Sequence, residues 1–384
     1  MAPIKKKTAK KGAVGKKTAK KKAAKKKAAK KKKATKRPAA RKYFRILCID
    51  GGGIRGIIPA CVLAEVEAQV RRLRGDPTIK IGECFDLVAG TSTGGILTCL
   101  YLMPDEDDPG RARFGAEDGL DLYMEHGDEI FERSVWKRIT SLNGIADEKY
   151  SHKPLEKMLF EYVGDLELSR LIRPCLVTAY ETQQYRPFFF TQHDARTDPA
   201  QDFLVREVAR ATSAAPTYFE LATPDNLDDI PSSNPMIDGG VFANNPTACA
   251  LVEALSLDRG KPNMTDVVVL SLGTGRSPKS ITYREAKDWG QAAWLRPLLG
   301  ILMEGVSQTV DYQLKTLFDS LDIGKQYLRI NGVFGDHQNK LDIEGLNHDM
   351  DCATNDNMKR LERFGRQLAQ NHRNEIGQFV RAYF

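Results

Sequence analysis

Three glycine-bearing motifs hold the residues best suited to chemistry. Gly90-Thr91-Ser92-Thr93-Gly94 is a G-x-S-x-G sequence, the setting in which a serine becomes an acyl-transfer nucleophile. The turn that presents such a serine is so sharp that side chains two residues to either side would clash, hence Gly90 and Gly94. A serine at the head of a helix also meets free N–H groups and a positive dipole end, which favour developing negative charge. The plainer alternative is a serine that only caps a helix in a glycine-rich turn.

Asp50-Gly51-Gly52-Gly53-Ile54-Arg55-Gly56 is the second motif. Its consecutive glycines expose backbone N–H groups that no side chain shields, and an ester hydrolase needs such donors for its oxyanion. The segment also fits G-x-G-x-x-G, a dinucleotide-binding pattern, but that reading requires an acidic residue at the end of a second strand. Asp76 has the right spacing, yet it lies in RRLRGDP, which is no strand, and Asp50 would set a negative charge beside a pyrophosphate. The third motif, Asp238-Gly239-Gly240, offers a carboxylate that can approach a nucleophile at little steric cost; alone it would read as an Asp-Gly turn.

These motifs need a scaffold that turns through glycine at strand ends. Residues 43–49 (YFRILCI) read as a buried strand and 57–73 as a helix with Pro59 in its first turn. Residues 85–89 read as a strand leading into the serine motif, and a helix follows to about 102. Strands are expected at 173–180, 186–191, 236–238 and 266–272, helices at 203–212 and 246–257, loops at 104–118 and 225–235, and mostly helix from 283 onward. Strands alternating with helices predict an α/β sandwich around one sheet. Residues 294–306 (WLRPLLGILMEGV) are unusually apolar and predict either a lipid-facing rim over an acyl pocket or a buried helix.

In this order and spacing, DGGGIRG, GTSTG and DGG resemble the patatin-like phospholipase family. ILCIDGGGIRGIIPACVLAEVE, ATSAAPTYF, DGGVFANNP and LSLGTG are similar to its plant-patatin-type branch and bacterial relatives, over roughly residues 43–330. The resemblance implies a three-layer α/β/α sandwich around a mainly parallel sheet. It also implies a phospholipase A-type lipid acyl hydrolase with a Ser–Asp dyad: Ser92 as nucleophile, Asp238 as general base, oxyanion N–H groups from the Gly52, Gly53 and Ile54 region, and Arg55 supporting that loop. The dyad chemistry needs no metal or other cofactor, and the expected partner is a phospholipid or other acyl lipid. Some bacterial members are defence effectors switched on by cyclic oligonucleotides; the resemblance allows such an activator here, and no motif carries it.

An unperturbed aspartate, with a pKa of about 3.9, is a weak base at neutral pH, so Asp238 must be partly buried near Ser92, with Arg55 pointing elsewhere. The rival reading is a Ser-His-Asp esterase. His337, His348 and His372 follow Asp238 in the chain, and His348 in GLNHDMD is the best placed.

The net charge of +8 hides a division. Residues 1–42 hold 21 Lys or Arg and no Asp or Glu, which leaves the remaining 342 residues at −13. The Lys/Ala-rich tail resembles the tails of histone H1-like proteins and is expected to be disordered, followed by a folded domain at 43–384. It would bind an anionic membrane surface or nucleic acid, and a nucleic-acid-associated protein with the hydrolase fold as a secondary module is the reading of a different class. No apolar core follows the N-terminal lysines, as a signal peptide requires, and no run is long enough to span a bilayer. Seven cysteines, an odd number without C-x-x-C pairs or metal-ligand spacing, predict free thiols, a cytoplasmic setting with at most peripheral membrane or nucleic-acid association, and no metal site.

Overall fold

In a computed structural model the described residues are 43–131 and 150–384, except Arg259 and Lys279. The basic segment 1–42 lies outside them. Continuous apolar runs must be covered on both faces, and three of them form the centre of one sheet: β1 (Phe44–Ile49), β2 (Leu87–Thr91) and, later in the chain, Val267–Leu272. Between these lie β3 (Cys175–Glu181), β4 (Arg186–Thr191) and β5 (Met236–Asp238). Val267–Leu272 is therefore β6, and β7 is Tyr327–Ile330. The order is β4-β3-β2-β1-β6-β7, with β5 paired to β3. Strands β7 to β3 run parallel, and only β4 and β5 oppose β3.

Among the described residues the helices of eight or more residues are α1 (Ile57–Arg74), α2 (Thr93–Tyr101), α3 (Ala116–Ile130), α4 (Lys153–Val163), α5 (Val205–Thr212), α6 (Thr247–Ser256), α7 (Gln291–Ser320), α8 (Asn355–Asn371) and α9 (Arg373–Tyr383). Alternate residues of β1 divide between the two faces, as strand geometry requires. Leu47 and Ile49 join a core with residues of α1, α2, α3 and α8, while Ile46 and Cys48 pack with Ala250, Leu251, Leu314 and Phe318 from α6 and α7. The result is the expected three-layer α/β/α sandwich.

One detail of register positions the site. On a single edge of β3, Thr178 pairs with Thr91 of β2 and the next residue, Ala179, pairs with Asp238 of β5. Strand β2 runs up this edge and β5 runs down it, so the two meet nearly end to end. The residue after β2 and the last residue of β5 are thereby neighbours.

The region after 283 is mostly helical, as its sequence suggests. It contains β7, too short for its alternation to be read against α7, and irregular chain from 331 to 354. All seven cysteines are free, and five are buried. No helix among the described residues is long and apolar enough to cross a membrane.

Candidate active site

Ser92 occupies a turn that few residues tolerate. Its φ of 54° and ψ of −123° lie where an L side chain is strained, between the end of β2 and the start of α2. A Cβ at position 90 would sit 2.0 Å from the Gly94 carbonyl oxygen, and one at position 94 would sit 2.1 Å from that of Ile49. Both glycines are therefore sterically required. The Ser92 N–H donates to Thr212 Oγ1 at 2.9 Å, which pins the turn from α5. The serine occupies the N-cap position of α2, yet its side chain makes no capping bond. Its hydroxyl instead faces the Asp238 carboxylate, near enough to lower that carboxyl's pKa.

Asp238 is 3% exposed. Burial pushes its carboxyl up to about 6, although the Ser92 hydroxyl and the Gly240 N–H, 2.7 Å from Oδ1, both pull it down. A Cβ at Gly239 would collide with Thr178, so the glycine lets the DGG turn lie against β3. Asp238 is the only charged side chain among the described residues lining the cleft above Ser92. Ile96, Phe131, Leu155, Phe219, Leu299 and Met303 are among the apolar residues of that wall, around roughly 730 Å³ including the open mouth. An apolar wall with one convergent charged group is the character of a small-molecule site.

The glycine loop lines the same cleft through Gly52 and Gly53. The Gly51 N–H donates to the Asn244 carbonyl at 3.0 Å, that of Ile54 to the Met350 carbonyl at 2.9 Å, and that of Arg55 to the Gly52 carbonyl at 3.2 Å. Among the described residues the N–H groups of Gly52 and Gly53 have no such acceptor. The expected donor set of Gly52, Gly53 and Ile54 therefore narrows to the two glycines, because Ile54 already serves Met350. Gly53 has φ +57°, and a Cβ there would lie 2.2 Å from the Met350 carbonyl oxygen. Arg55 supports the loop: its guanidinium donates to the carbonyls of Gly52 (3.4 Å) and Gly275 (3.3 Å), and it does not act on Asp238.

A family model described as patatin-like phospholipase matches residues 47–251, the stretch that contains all three motifs. "Patatin-like protein 1" of Arabidopsis thaliana is 31% identical over 350 residues, covering 85% of this chain and 81% of its own length. The chain belongs to the patatin-like phospholipase family. A rice relative, "Patatin-like protein 1" of Oryza sativa subsp. indica, is 32% identical over 348 residues, with 85% and 81% covered. A Solanum tuberosum protein named "Probable inactive patatin-3-Kuras 1" is 31% identical over 299 residues, with 74% and 77% covered. Among solved structures, "Human GIVD cytosolic phospholipase A2" aligns with 93% of this chain and 62% of its own at 12% identity, with a TM-score of 0.41.

As a patatin-like phospholipase the chain is a lipid hydrolase, and its histidines stand apart from the serine. His348 stacks on Phe334 at 4.4 Å with Nδ1 3.3 Å from Ser277 Oγ. His337 pairs with Asp342 and His372 with Glu375. None of the three lines the cleft, so the Ser-His-Asp alternative has no geometry to stand on.

Several contacts that the motifs did not reveal hold this site together. The Asp50 carboxylate, at the end of β1, is buried and takes a two-point ion pair from Arg329 of β7, at 2.8 and 2.5 Å. Burial raises its carboxyl while Arg329 and the Ser307 hydroxyl lower it. Ser307 of α7 also accepts from Asn244 Nδ2 at 3.0 Å, and Thr274 Oγ1 donates to the Gly51 carbonyl at 2.8 Å. Asn244 stood in the quoted DGGVFANNP and was legible there; Arg329 and Ser307 had no signal, because an isolated Arg or Ser looks like any other.

Proposed function

We propose that the protein hydrolyses carboxylic ester bonds of membrane lipids, as a phospholipase A-type acyl hydrolase, with Ser92 as nucleophile and Asp238 as its base. The observation that carries this reading is the strained Ser92, its hydroxyl facing a buried carboxylate raised to about 6, at the floor of an apolar cleft. A hydroxyl facing such a carboxylate can lose its proton to it, and a pKa nearer neutrality makes the base more effective.

In the acylation half, Ser92 Oγ bonds to the ester carbonyl carbon while its proton passes to Asp238. The carbonyl oxygen becomes the oxyanion, within reach of the Gly52 and Gly53 N–H groups. Collapse breaks the carbon–oxygen bond to the alcohol, which takes the proton from Asp238. Water then repeats the cycle: its proton goes to Asp238, its oxygen bonds the acyl carbon, and Ser92 leaves with the proton returned. The apolar wall would hold the acyl chain.

A panel of phospholipids, galactolipids and neutral glycerides assayed with wild type, Ser92→Ala and Asp238→Ala tests the reading. Release of fatty acid by wild type and its loss in both variants is the expected result. Release that survives Ser92→Ala overturns it.

A further inference from the structure

We infer that the outer face of α7 is a docking surface for the lipid–water interface, placed beside the mouth of the Ser92 cleft. The first half of this helix has two apolar faces. Leu299 and Met303, one turn apart, line the cleft. Leu298, Ile301 and Leu302 stand at i, i+3 and i+4 and are 46%, 47% and 47% exposed; Trp294, one turn earlier, is 36% exposed. Tyr312 continues the same stripe at 71%.

A soluble protein has no reason of its own to leave such a stripe bare, and exposed apolar patches of this kind mark interaction sites. What selects the occupant is continuity. Leu298 and Leu302 lie next in sequence to Leu299 and Met303, so the exposed stripe and the pocket wall are two sides of one helical segment. An ester lipid must leave its aggregate and reach a serine that is 8% exposed. Setting the cleft mouth against the lipid keeps the acyl chain in apolar surroundings on that path, whereas a second protein seated there would stand beside the entrance. The binding mode is that of an interfacial amphipathic helix, which buries one face in the headgroup region without crossing the bilayer. The acyl substrate is taken from the function proposed above, but the docking itself is a binding event that needs no turnover.

The test is therefore made on full-length Ser92→Ala protein, by sedimentation with phosphatidylcholine vesicles, whose lack of net charge gives the basic segment 1–42 little to bind. The protein is expected to partition onto the vesicles. Adding Leu298→Gln, Ile301→Gln and Leu302→Gln should weaken partitioning at least tenfold, and Leu302→Gln alone about threefold; glutamine keeps helix propensity. In the Ser92-containing protein the triple substitution should leave hydrolysis of a dissolved short-chain ester within about twofold, while hydrolysis of vesicle phosphatidylcholine falls with the partitioning. Unchanged partitioning in both variants overturns the inference. So does a wild-type dimer in sedimentation equilibrium that the triple substitution converts to monomer, because a second copy would then be the occupant. Absence of any esterase activity with partitioning intact would sink the proposed function and leave the docking surface standing.

Discussion

Asp50 and Arg329 form a two-point ion pair that fixes where β1 ends and the glycine loop begins, from a strand about six-sevenths of the way along the chain. Both side chains are nearly inaccessible, at 3% and 10% exposure. A buried pair of this sort adds little net stability compared with apolar packing, but removing one partner strands a charge. Arg329→Met should therefore cost about 3–5 kcal/mol. Asp50→Leu combined with Arg329→Met should recover part of that loss, and thermal or denaturant unfolding of the three variants checks it.

The backbone at Ser92 predicts a separation of two effects. A strained non-glycine conformation costs about 1–3 kcal/mol, and glycine relieves it whereas alanine keeps the Cβ. Ser92→Gly should melt higher than Ser92→Ala, and both should lack esterase activity. Equal melting midpoints would remove strain from the description of the turn.

Asp238 should give both an activity profile and a stability profile. Its carboxyl must be ionised to accept a proton, so kcat/KM should rise with pH through about 6 and flatten above it. For stability the sign is opposite to that of a salt-bridged acid. The folded chain holds a proton up to about pH 6 that the unfolded chain releases near its ordinary value of about 3.9, so stability falls as pH rises through that window. Asp238→Asn removes this dependence. Its melting advantage over wild type should grow between about pH 4 and pH 7, by on the order of 3 kcal/mol, while its activity is lost.

Gly53→Ala tests the oxyanion assignment. The new Cβ meets the Met350 carbonyl at 2.2 Å on a φ of +57°, and backbone cannot yield as a flexible side chain would. The loop must shift, carrying the Gly52 and Gly53 N–H groups with it. A loss of about 10²–10³ in kcat is expected, the scale of one removed oxyanion donor. Ile54→Val, whose N–H serves Met350, should change kcat less than about tenfold. His348→Ala should likewise keep nearly full activity, since its ring lies on Phe334 outside the cleft.

The central strands and the glycine turns were legible because they obey local rules. β1, β2 and β6 are predominantly apolar runs, and Gly90, Gly94 and Gly239 sit where only a missing side chain fits. The serine and the aspartate came from the same source. What the sequence could not convey was partnership across long separations. Whether the Ile54 N–H is free depends on Met350, and whether Asp50 stays ionised depends on Arg329. Neither dependence has a local signature. Residues 294–306 were left between rim and buried helix, and in α7 none of those described is buried: Leu298, Ile301 and Leu302 are exposed, while Leu299 and Met303 line the cleft.

The end-to-end meeting of β2 and β5 along one edge of β3 bears on how the protein is made. A ribosome releases Ser92 long before Asp238, and domains emerge N-terminal part first. The elbow can form while its prospective base is still unsynthesised, and no fragment ending before β5 holds both groups. On the proposed dyad, a nascent or truncated chain that ends before β5 is harmless to the lipids around it, because the serine has no base until β5 pairs with β3.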